Sequence, residues 1–138
     1  MEHTPFDKLG AEQGVRALVD RFYDLMDSLP EAHSVRILHP RDLSQSRDKL
    51  FKFLCGWLGG PPLYLQEYGH PRLRARHLPF TIGISERDAW MLCMERALAA
   101  CEIDNLMRSH LLQSLRNTAD FMRNQEEKLE KRGEESAE

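Results

Sequence analysis

Apolar residues recur along most of the chain at steps of three and four positions, the spacing of an amphipathic helix. The pattern predicts long helices over 10–28, 41–58 and about 85–101, followed by a last helix that Asp104 caps. One or two further helical turns are expected within 31–36. No segment shows the two-residue alternation of a strand, so the sequence predicts an all-α fold.

Each long helix has one apolar face, and we expect these faces to meet in a shared core. Ser85 followed by Asp88 has the form of a capping box at the start of the third helix. The inward faces are expected to contain Val15, Leu18, Val19, Phe22 and Met26 in the first helix; Leu43, Leu50, Phe53, Leu54 and Trp57 in the second; Trp90, Met91, Met94, Leu98 and Cys101 in the third; and Leu106, His110, Leu111, Leu115, Thr118, Phe121 and Met122 in the last.

The stretch 59–80 interrupts this helical pattern and is the least ordinary part of the chain. It opens with a glycine pair and two prolines, which end the preceding helix as a left-handed glycine stop would. A basic run then leads to His77, and Pro79 biases its predecessor away from helical angles. Any helix here is short, beginning near Pro71 and ending by Leu78. A single histidine on a short helix, with arginines around it, suits one axial ligand to a flat cofactor that carries acidic groups.

Length and composition restrict the class of protein. The 138 residues predict one domain over 1–138, with a core from about 9 to 122 and a charged tail from about 123 to 138. The net charge of −3 among 30% charged residues argues against a nucleic-acid or membrane partner. No apolar run approaches the roughly 20 residues that span a bilayer. Because the N-terminus also lacks an apolar signal core, we expect a cytoplasmic protein.

Three cysteines, Cys55, Cys93 and Cys101, are odd in number and widely spaced. None forms a C-x-x-C or C-x-x-C-H motif, which argues against a zinc knuckle and a covalently attached c-type haem. We therefore expect reduced and largely buried thiols.

Two polar side chains have more than one interpretation from the residues alone. Phe22 and Tyr23 form either an aromatic pair in the core or a pair whose phenol enters a pocket, where a bound ligand would satisfy the hydroxyl. His39 precedes Pro40, which favours an extended conformation. Taken alone, His39 is an ordinary loop histidine.

Five segments taken together resemble the group II truncated haemoglobins. They are Phe22-Tyr23, PRDL at 40–43, LGGPPLY at 58–64, GHPRLRARHLPF at 69–80 and AWMLCM at 89–94. The resemblance runs from about residue 9 to about 122. It is specific because Trp90 follows His77 by thirteen residues, in addition to the matching segments. It implies a two-over-two, globin-like arrangement of α-helices around one haem b, with a very short first helix.

The resemblance also implies an iron ligand. His77 matches the proximal histidine, so it is the expected metal-binding residue. A histidine that binds a metal through one ring nitrogen normally donates its other N–H to an acceptor, which fixes the ring. His70 competes for the role, but it precedes Pro71, which suits it to start the short helix, and it lies outside the matched iron position.

On the opposite side of the haem, the resemblance implies a distal pocket in which Tyr23, Trp90 and His39 stabilise a bound ligand. Ser46 stands where many larger globins have a distal histidine, and Leu50 stands where some group members have glutamine. A phenol, an indole N–H and an imidazole thus take the place of those side chains.

Further haem contacts follow from the same resemblance. Lys49 and Arg76 match positions that often approach the haem propionates, although each is equally well an exposed charge, and Tyr64 is a third candidate. For the apolar residues, contact with the haem and burial in an ordinary core are nearly the same prediction. The residues expected to line the haem, besides Ser46 and Leu50, are Phe53, Leu54, Trp57, Leu73, Ile82 and Met94.

The function that the resemblance implies is binding of oxygen and other small ligands, including nitric oxide, carbon monoxide and peroxide. Distal donors that retain oxygen suit redox chemistry, or detoxification of reactive oxygen and nitrogen species, better than bulk delivery. The sequence leaves the reaction open between peroxidase-like or nitric-oxide dioxygenase activity with an unidentified electron donor, and oxygen carriage or storage without turnover. A haem-free helical interaction module is the alternative from another class.

Overall fold

The computed structural model describes residues 4–124, and all regular structure in that part of the chain is helical, which confirms the all-α prediction. None of the helices described is long and apolar enough to cross a membrane. From residue 125 onward, the predicted charged tail lies outside the described residues. The helices are α1 (Pro5–Leu9), α2 (Ala11–Ser28), a 3-10 turn (Pro30–Ala32), α3 (His33–Arg36), α4 (Ser44–Trp57), α5 (Leu63–Tyr68), α6 (Leu73–His77), α7 (Ile84–Ala99) and α8 (Asn105–Phe121).

Four long helices build one core. Helix α2 packs along α4 and α7, and α7 packs along α8, so the pairs α2–α4 and α7–α8 share their apolar faces. Removing those faces from water is the main force that stabilises the arrangement. The most deeply buried large side chains are Val15, Val19, Phe22, Met26, Leu54, Cys55, Met91, Cys93, Met94 and Leu98.

The cysteines are free thiols within this core or at its edge, as predicted. Cys55 and Cys93 are buried and Cys101 is half-buried. Burial raises the pKa of the Cys55 and Cys93 thiols to about 11. Since the thiolate is the reactive form, these two side chains behave as small apolar groups.

The glycine pair ends α4 in a Schellman motif, which confirms the predicted stop. The N–H of Gly60 donates to the Cys55 carbonyl at 2.8 Å, and the N–H of Gly59 donates to the Gly56 carbonyl at 3.1 Å. Gly59 has a φ of 96°, in the left-handed region that favours glycine. The break therefore satisfies carbonyls at the end of α4 and redirects the chain.

The same break anchors the N-terminal helix. The N–H of Phe6 donates to the Leu58 carbonyl at 3.0 Å, and the Phe6 side chain is 8% exposed. A Cβ on Gly60 would lie 2.5 Å from the Phe6 ring. The missing side chain at Gly60 thus gives the phenylalanine its place over the end of α4.

One predicted helix start, that of α4, and one predicted cap, that of α7, are wrong, each because a side chain binds the backbone elsewhere. Asp42 Oδ1 accepts from the N–H and the hydroxyl of Ser44 at 2.9 and 2.7 Å, a local turn that delays the start of α4 to Ser44. Helix α7 begins before Ser85, because Glu86 Oε1 accepts from the N–H of Gly83 at 2.7 Å. The carboxylate that caps α7 is thus that of Glu86.

The predicted inward face of α8 is too wide. Leu111 and Leu115 are buried, but Leu106 and Phe121 are 69% and 60% exposed, and His110 is also exposed. Helix α8 packs chiefly against α7, so the part of its surface that enters the core is narrow. The prediction is wrong at the three exposed positions.

Substitution of Gly60 by alanine tests the close approach to Phe6. The added methyl group overlaps the ring, and overpacking of this kind costs about 1–3 kcal/mol. We expect Gly60→Ala to lower the free energy of unfolding by that amount in denaturant titrations followed by circular dichroism. In a Phe6→Ala background the same substitution should cost much less. An equal cost in both backgrounds would contradict this contact.

Candidate haem site

His77 is the last residue of α6, and its ring is oriented from within this helix. The Nδ1 atom lies 2.6 Å from the carbonyl oxygen of Leu73, one turn earlier. Because a carbonyl only accepts, Nδ1 carries the proton and donates, which leaves the lone pair of Nε2 free. The half-buried imidazole therefore keeps available the nitrogen that a metal ion requires.

His70 lies at the start of the short helix, as predicted. Its ring is exposed, and Nδ1 accepts from the N–H of Arg72 at 3.1 Å. Arg72 has a φ of 46° and turns the chain into α6. The two histidines of this stretch thus have separate surroundings, and His77 is the one with a free, half-buried nitrogen.

Three aromatic rings connect α2 with α7. Phe22 contacts Tyr23 edge to face with centroids 4.9 Å apart, and its centroid lies 5.0 Å from that of Trp90. Tyr23 is 5% exposed and Trp90 is half-buried. Among the described residues, neither the Tyr23 hydroxyl nor the Trp90 indole N–H has a hydrogen-bond partner. Both donors are therefore available to a ligand.

Tyr23 remains a protonated donor. Burial raises the pKa of its phenol well above the usual value, against the opposing effect of the positive charge on Arg47. The Arg47 guanidinium carbon lies 5.9 Å from the Tyr23 ring centroid. The neutral phenol is thus the form present at any physiological pH.

His39 extends this group of rings from the loop after α3. Its ring centroid lies 5.7 Å from that of Tyr23, edge to face. Nδ1 donates to the Val35 carbonyl at 2.9 Å, so Nε2 keeps its lone pair. Burial lowers the pKa of His39, the hydrogen bond to Val35 opposes this, and the positive charge of Arg36 adds to the lowering. The imidazole is therefore neutral near pH 7, and its free nitrogen is an acceptor.

Arg36, which sequence reasoning missed, holds the loop that carries His39. Its Nη1 and Nη2 donate to the carbonyls of Pro40 and Arg41, each at 3.0 Å. Its Nε donates to Asp27 Oδ1 at 2.9 Å, which ties the loop to the end of α2. Nothing in the local pattern marks an arginine for this role, because two of its three partners are backbone carbonyls.

A polar edge forms where α4, α5 and α6 meet. Tyr64 is buried, and its ring lies 6.3 Å from that of Phe53 and 4.8 Å from that of Tyr68. The Arg76 guanidinium carbon lies 5.8 Å from the Tyr64 centroid, and Lys49 Nζ lies 5.5 Å from the Tyr68 centroid. The structure thus brings the predicted propionate contacts together around one aromatic pair. Tyr68 was not predicted, although its four-residue spacing from Tyr64 is a usable signal on a helix.

The predicted haem-lining residues divide into two groups by exposure. Leu54 and Met94 are at most 2% exposed, so protein atoms alone surround them, and haem contact by these two stays a prediction. Partial exposure of apolar side chains beside a core leaves surface that a cofactor would cover. Half-buried members are Ser46, Leu50, Phe53, Trp57 and Leu73, and buried members are Leu54, Ile82 and Met94.

This set of side chains fits haem. A flat, apolar, iron-containing group with two carboxylates needs one free imidazole nitrogen, apolar walls and cations at one edge. His77 supplies the nitrogen, and the half-buried residues of α4 and α6 supply apolar surface. Arg76 and Lys49 lie at the polar edge, and the unpaired phenol and indole offer hydrogen bonds to a ligand on the iron.

Comparisons with known proteins agree with this geometry. A family model for bacterial-like globins matches residues 4–124. Group 2 truncated haemoglobin YjbI of Bacillus subtilis (strain 168) is 41% identical over 125 residues, which are 91% of this chain and 92% of that protein. The cold-adapted truncated haemoglobin from the Antarctic marine bacterium Pseudoalteromonas haloplanktis TAC125 is 44% identical, with a TM-score of 0.88 over 90% of this chain and 100% of that one. The group II 2-on-2 haemoglobin from the plant pathogen Agrobacterium tumefaciens is 44% identical, with a TM-score of 0.87 over 91% and 97%.

An all-α fold in which a short helix presents a half-buried imidazole nitrogen has the features of a globin. The chain belongs to the bacterial-like globin family and, within it, to the group II truncated haemoglobins. The resemblance seen in the sequence is thereby confirmed. Membership of this family means a haem-based protein that binds small gas ligands such as oxygen.

The lowered pKa of His39 predicts a pH effect on anion binding. The imidazole gains charge only below its ordinary pKa of about 6.5, and the charged ring then donates to an anion. Fluoride affinity of the ferric protein should therefore rise more steeply toward low pH in the wild type than in His39→Phe, with haem content unchanged. Spectrophotometric titrations between about pH 5 and 8 measure this. His33→Phe, at an exposed position of α3, is the matched control. Identical profiles for wild type and His39→Phe would make His39 an ordinary loop residue.

Proposed function

We propose that this chain binds haem b through Nε2 of His77 and retains a small ligand, oxygen first of all, with hydrogen bonds from Tyr23 and Trp90. The observation that carries the proposal is the pair of distal donors without a partner among the described residues. Bound haem supplies an iron atom at which such a ligand binds and takes on negative charge. The protein's contribution is the placement of donors and acceptors around that charge.

The distal donors decide how long the ligand stays. Tyr23 offers an O–H that burial keeps protonated, and Trp90 offers an N–H that cannot act as an acceptor. A hydrogen bond to a charged group contributes about 1.5–3 kcal/mol. Because 1.4 kcal/mol is a factor of ten, both bonds together slow ligand escape by roughly two orders of magnitude or more. Phe22 holds the rings of Tyr23 and Trp90 in position, because it contacts both.

His39 has a different role in this proposal. Its Nδ1 proton is committed to Val35, so the neutral ring presents only an acceptor, Nε2. The ring packs edge to face on Tyr23, and this nitrogen is the group that would accept a proton carried by an incoming substrate. Below its lowered pKa the same ring becomes a donor. His39 thus tunes the distal chemistry and is dispensable for haem binding.

The polar edge receives the haem propionates in this proposal. Arg76 and Lys49 supply positive charge, and Tyr64, whose ring lies beside Arg76, supplies a hydroxyl. Charge-assisted hydrogen bonds to carboxylates are among the stronger ones in proteins. These residues would therefore hold the acidic edge of the haem, while His77 would supply the ligand to its iron.

Strong retention of oxygen suits turnover in the cytoplasm better than delivery. The proposed chemistry is redox reaction or detoxification of reactive oxygen and nitrogen species, with nitric oxide or peroxide as second substrate, carbon monoxide as a competing ligand, and an electron donor outside this chain. Stopped-flow mixing of the oxygen-loaded protein with nitric oxide, and of the ferric protein with peroxide, tests this. Slow reaction with both would leave oxygen carriage or storage, and a purified protein without a Soret band would leave a haem-free interaction module.

The ligand role of His77 is tested by its removal. We expect His77→Gly to lose haem during purification, or to retain it only with added imidazole, because no other free half-buried nitrogen is on α6. The absorbance spectrum and haem content measure this. His70→Gly, seven residues earlier and exposed, should keep a normal spectrum. Full haem content with an unchanged spectrum in His77→Gly would exclude His77 as the ligand.

The distal donors are tested by substitutions that keep the rings. Tyr23→Phe and Trp90→Phe should each raise the oxygen dissociation rate about tenfold or more, since each removes one charge-assisted hydrogen bond. Stopped-flow displacement of oxygen by carbon monoxide gives the rate. Tyr64→Phe removes a hydroxyl at the polar edge and should leave this rate unchanged. If neither distal substitution changes the rate beyond error, the proposed hydrogen bonds do not exist.

A further inference from the structure

Helix α6 carries His77 but cannot hold its own position. It has five residues, and none of them is buried. Isolated helices of this length are not stable in water. The helix also packs only sparsely against the other helices. Its place in the molecule must therefore come from specific contacts around it.

Asn124, just beyond the end of α8, supplies contacts at the C-terminal end of α6. Its Nδ2 donates to the carbonyl of His77 at 3.2 Å and to that of Phe80 at 2.7 Å. Its Oδ1 accepts from the N–H of Ile82 at 3.0 Å, and its own N–H donates to the Ile82 carbonyl at 2.9 Å. One residue thus closes the turn that follows the histidine and fastens it to α8.

Arg74 supplies a second connection from the middle of α6 to the same segment. Its Nη1 donates to the carbonyl of Phe121 at 2.6 Å and to that of Arg123 at 3.1 Å. Its guanidinium carbon lies 5.5 Å from the centre of the Phe121 ring. Two independent groups of contacts therefore join the histidine helix to residues 121–124.

We propose that Asn124, supported by Arg74, is a positioning residue that holds the proximal histidine against the haem. The inference rests on the proposed role of His77 as iron ligand. Because Nδ1 of His77 is hydrogen-bonded to the carbonyl of Leu73 within α6, the ring moves with the helix as one unit. Fixing the carbonyl of His77 and the turn after it therefore fixes the direction of Nε2.

Two variants of Asn124 separate the contacts. Asn124→Ala removes every side-chain hydrogen bond of this residue. Asn124→Asp keeps an acceptor for Ile82 but replaces the donor to the carbonyls of His77 and Phe80 by a carboxylate oxygen. The matched control is Asn117→Ala, an exposed asparagine of α8 whose Oδ1 accepts from Gln113 Nε2 at 3.1 Å.

Two measurements on the haem-loaded protein decide the proposal. We expect haem transfer to an excess of apomyoglobin to be about tenfold faster in both Asn124 variants, as fits the loss of two hydrogen bonds. We also expect the iron–histidine stretching band of the ferrous protein, measured by resonance Raman spectroscopy, to shift and broaden. Asn117→Ala should match the wild type in both. If circular dichroism shows that Asn124→Ala has lost helix, the two measurements on Asn124→Asp decide the proposal.

An unchanged stretching band and unchanged haem transfer in the folded Asn124 variants would overturn this role. Faster haem transfer with an unchanged band would also overturn it, because it would assign Asn124 to general stability. A wild-type protein without an iron–histidine band is a different result. It would overturn the proposed ligand itself, whatever the Asn124 variants do.

Discussion

The hydrogen bond from Nδ1 of His77 to the Leu73 carbonyl determines which ring nitrogen stays free. It also joins the imidazole to a helix of five residues, so the direction of the free nitrogen depends on where that helix lies. Contacts from the surrounding chain set the position of this helix. The Schellman motif at Gly59 and Gly60 ends α4 and redirects the chain toward α5 and α6, and contacts from the end of α8 hold the far side.

The distal donors combine packed rings with unpaired polar atoms. Phe22 is fully buried and contacts the rings of both Tyr23 and Trp90. The O–H of Tyr23 and the N–H of Trp90 have no hydrogen-bond partner among the described residues. Packing thus fixes the two rings and leaves their polar atoms unpaired, a departure from local rules that is expected at a functional site.

Features set by local sequence were predictable, and features set by distant contacts were not. The apolar stripes of α2 and α4, the glycine stop after α4 and the Asp104 cap, whose Oδ1 accepts from the N–H of Met107 at 2.7 Å, follow from residues close in sequence. The exposure of Phe121 depends on which side of α8 meets α7, and no periodicity decides that. The family resemblance indicated the site residues, but not the supporting contacts of Arg36 and Asn124, whose partners are mostly main-chain atoms.

His39 and His77 make the same local hydrogen bond, with different consequences. Each ring donates Nδ1–H to the carbonyl four residues earlier, so each keeps Nε2 free. The difference lies in what surrounds the ring. His39 packs edge to face on Tyr23, and its loop is held by Arg36, whose positive charge also helps to lower the pKa of His39. A neutral acceptor beside a phenol that stays protonated leaves both groups in fixed protonation states near pH 7. Acidification that charges His39 would turn its ring from an acceptor into a donor beside Tyr23, which is the physical basis of the pH response proposed for this histidine.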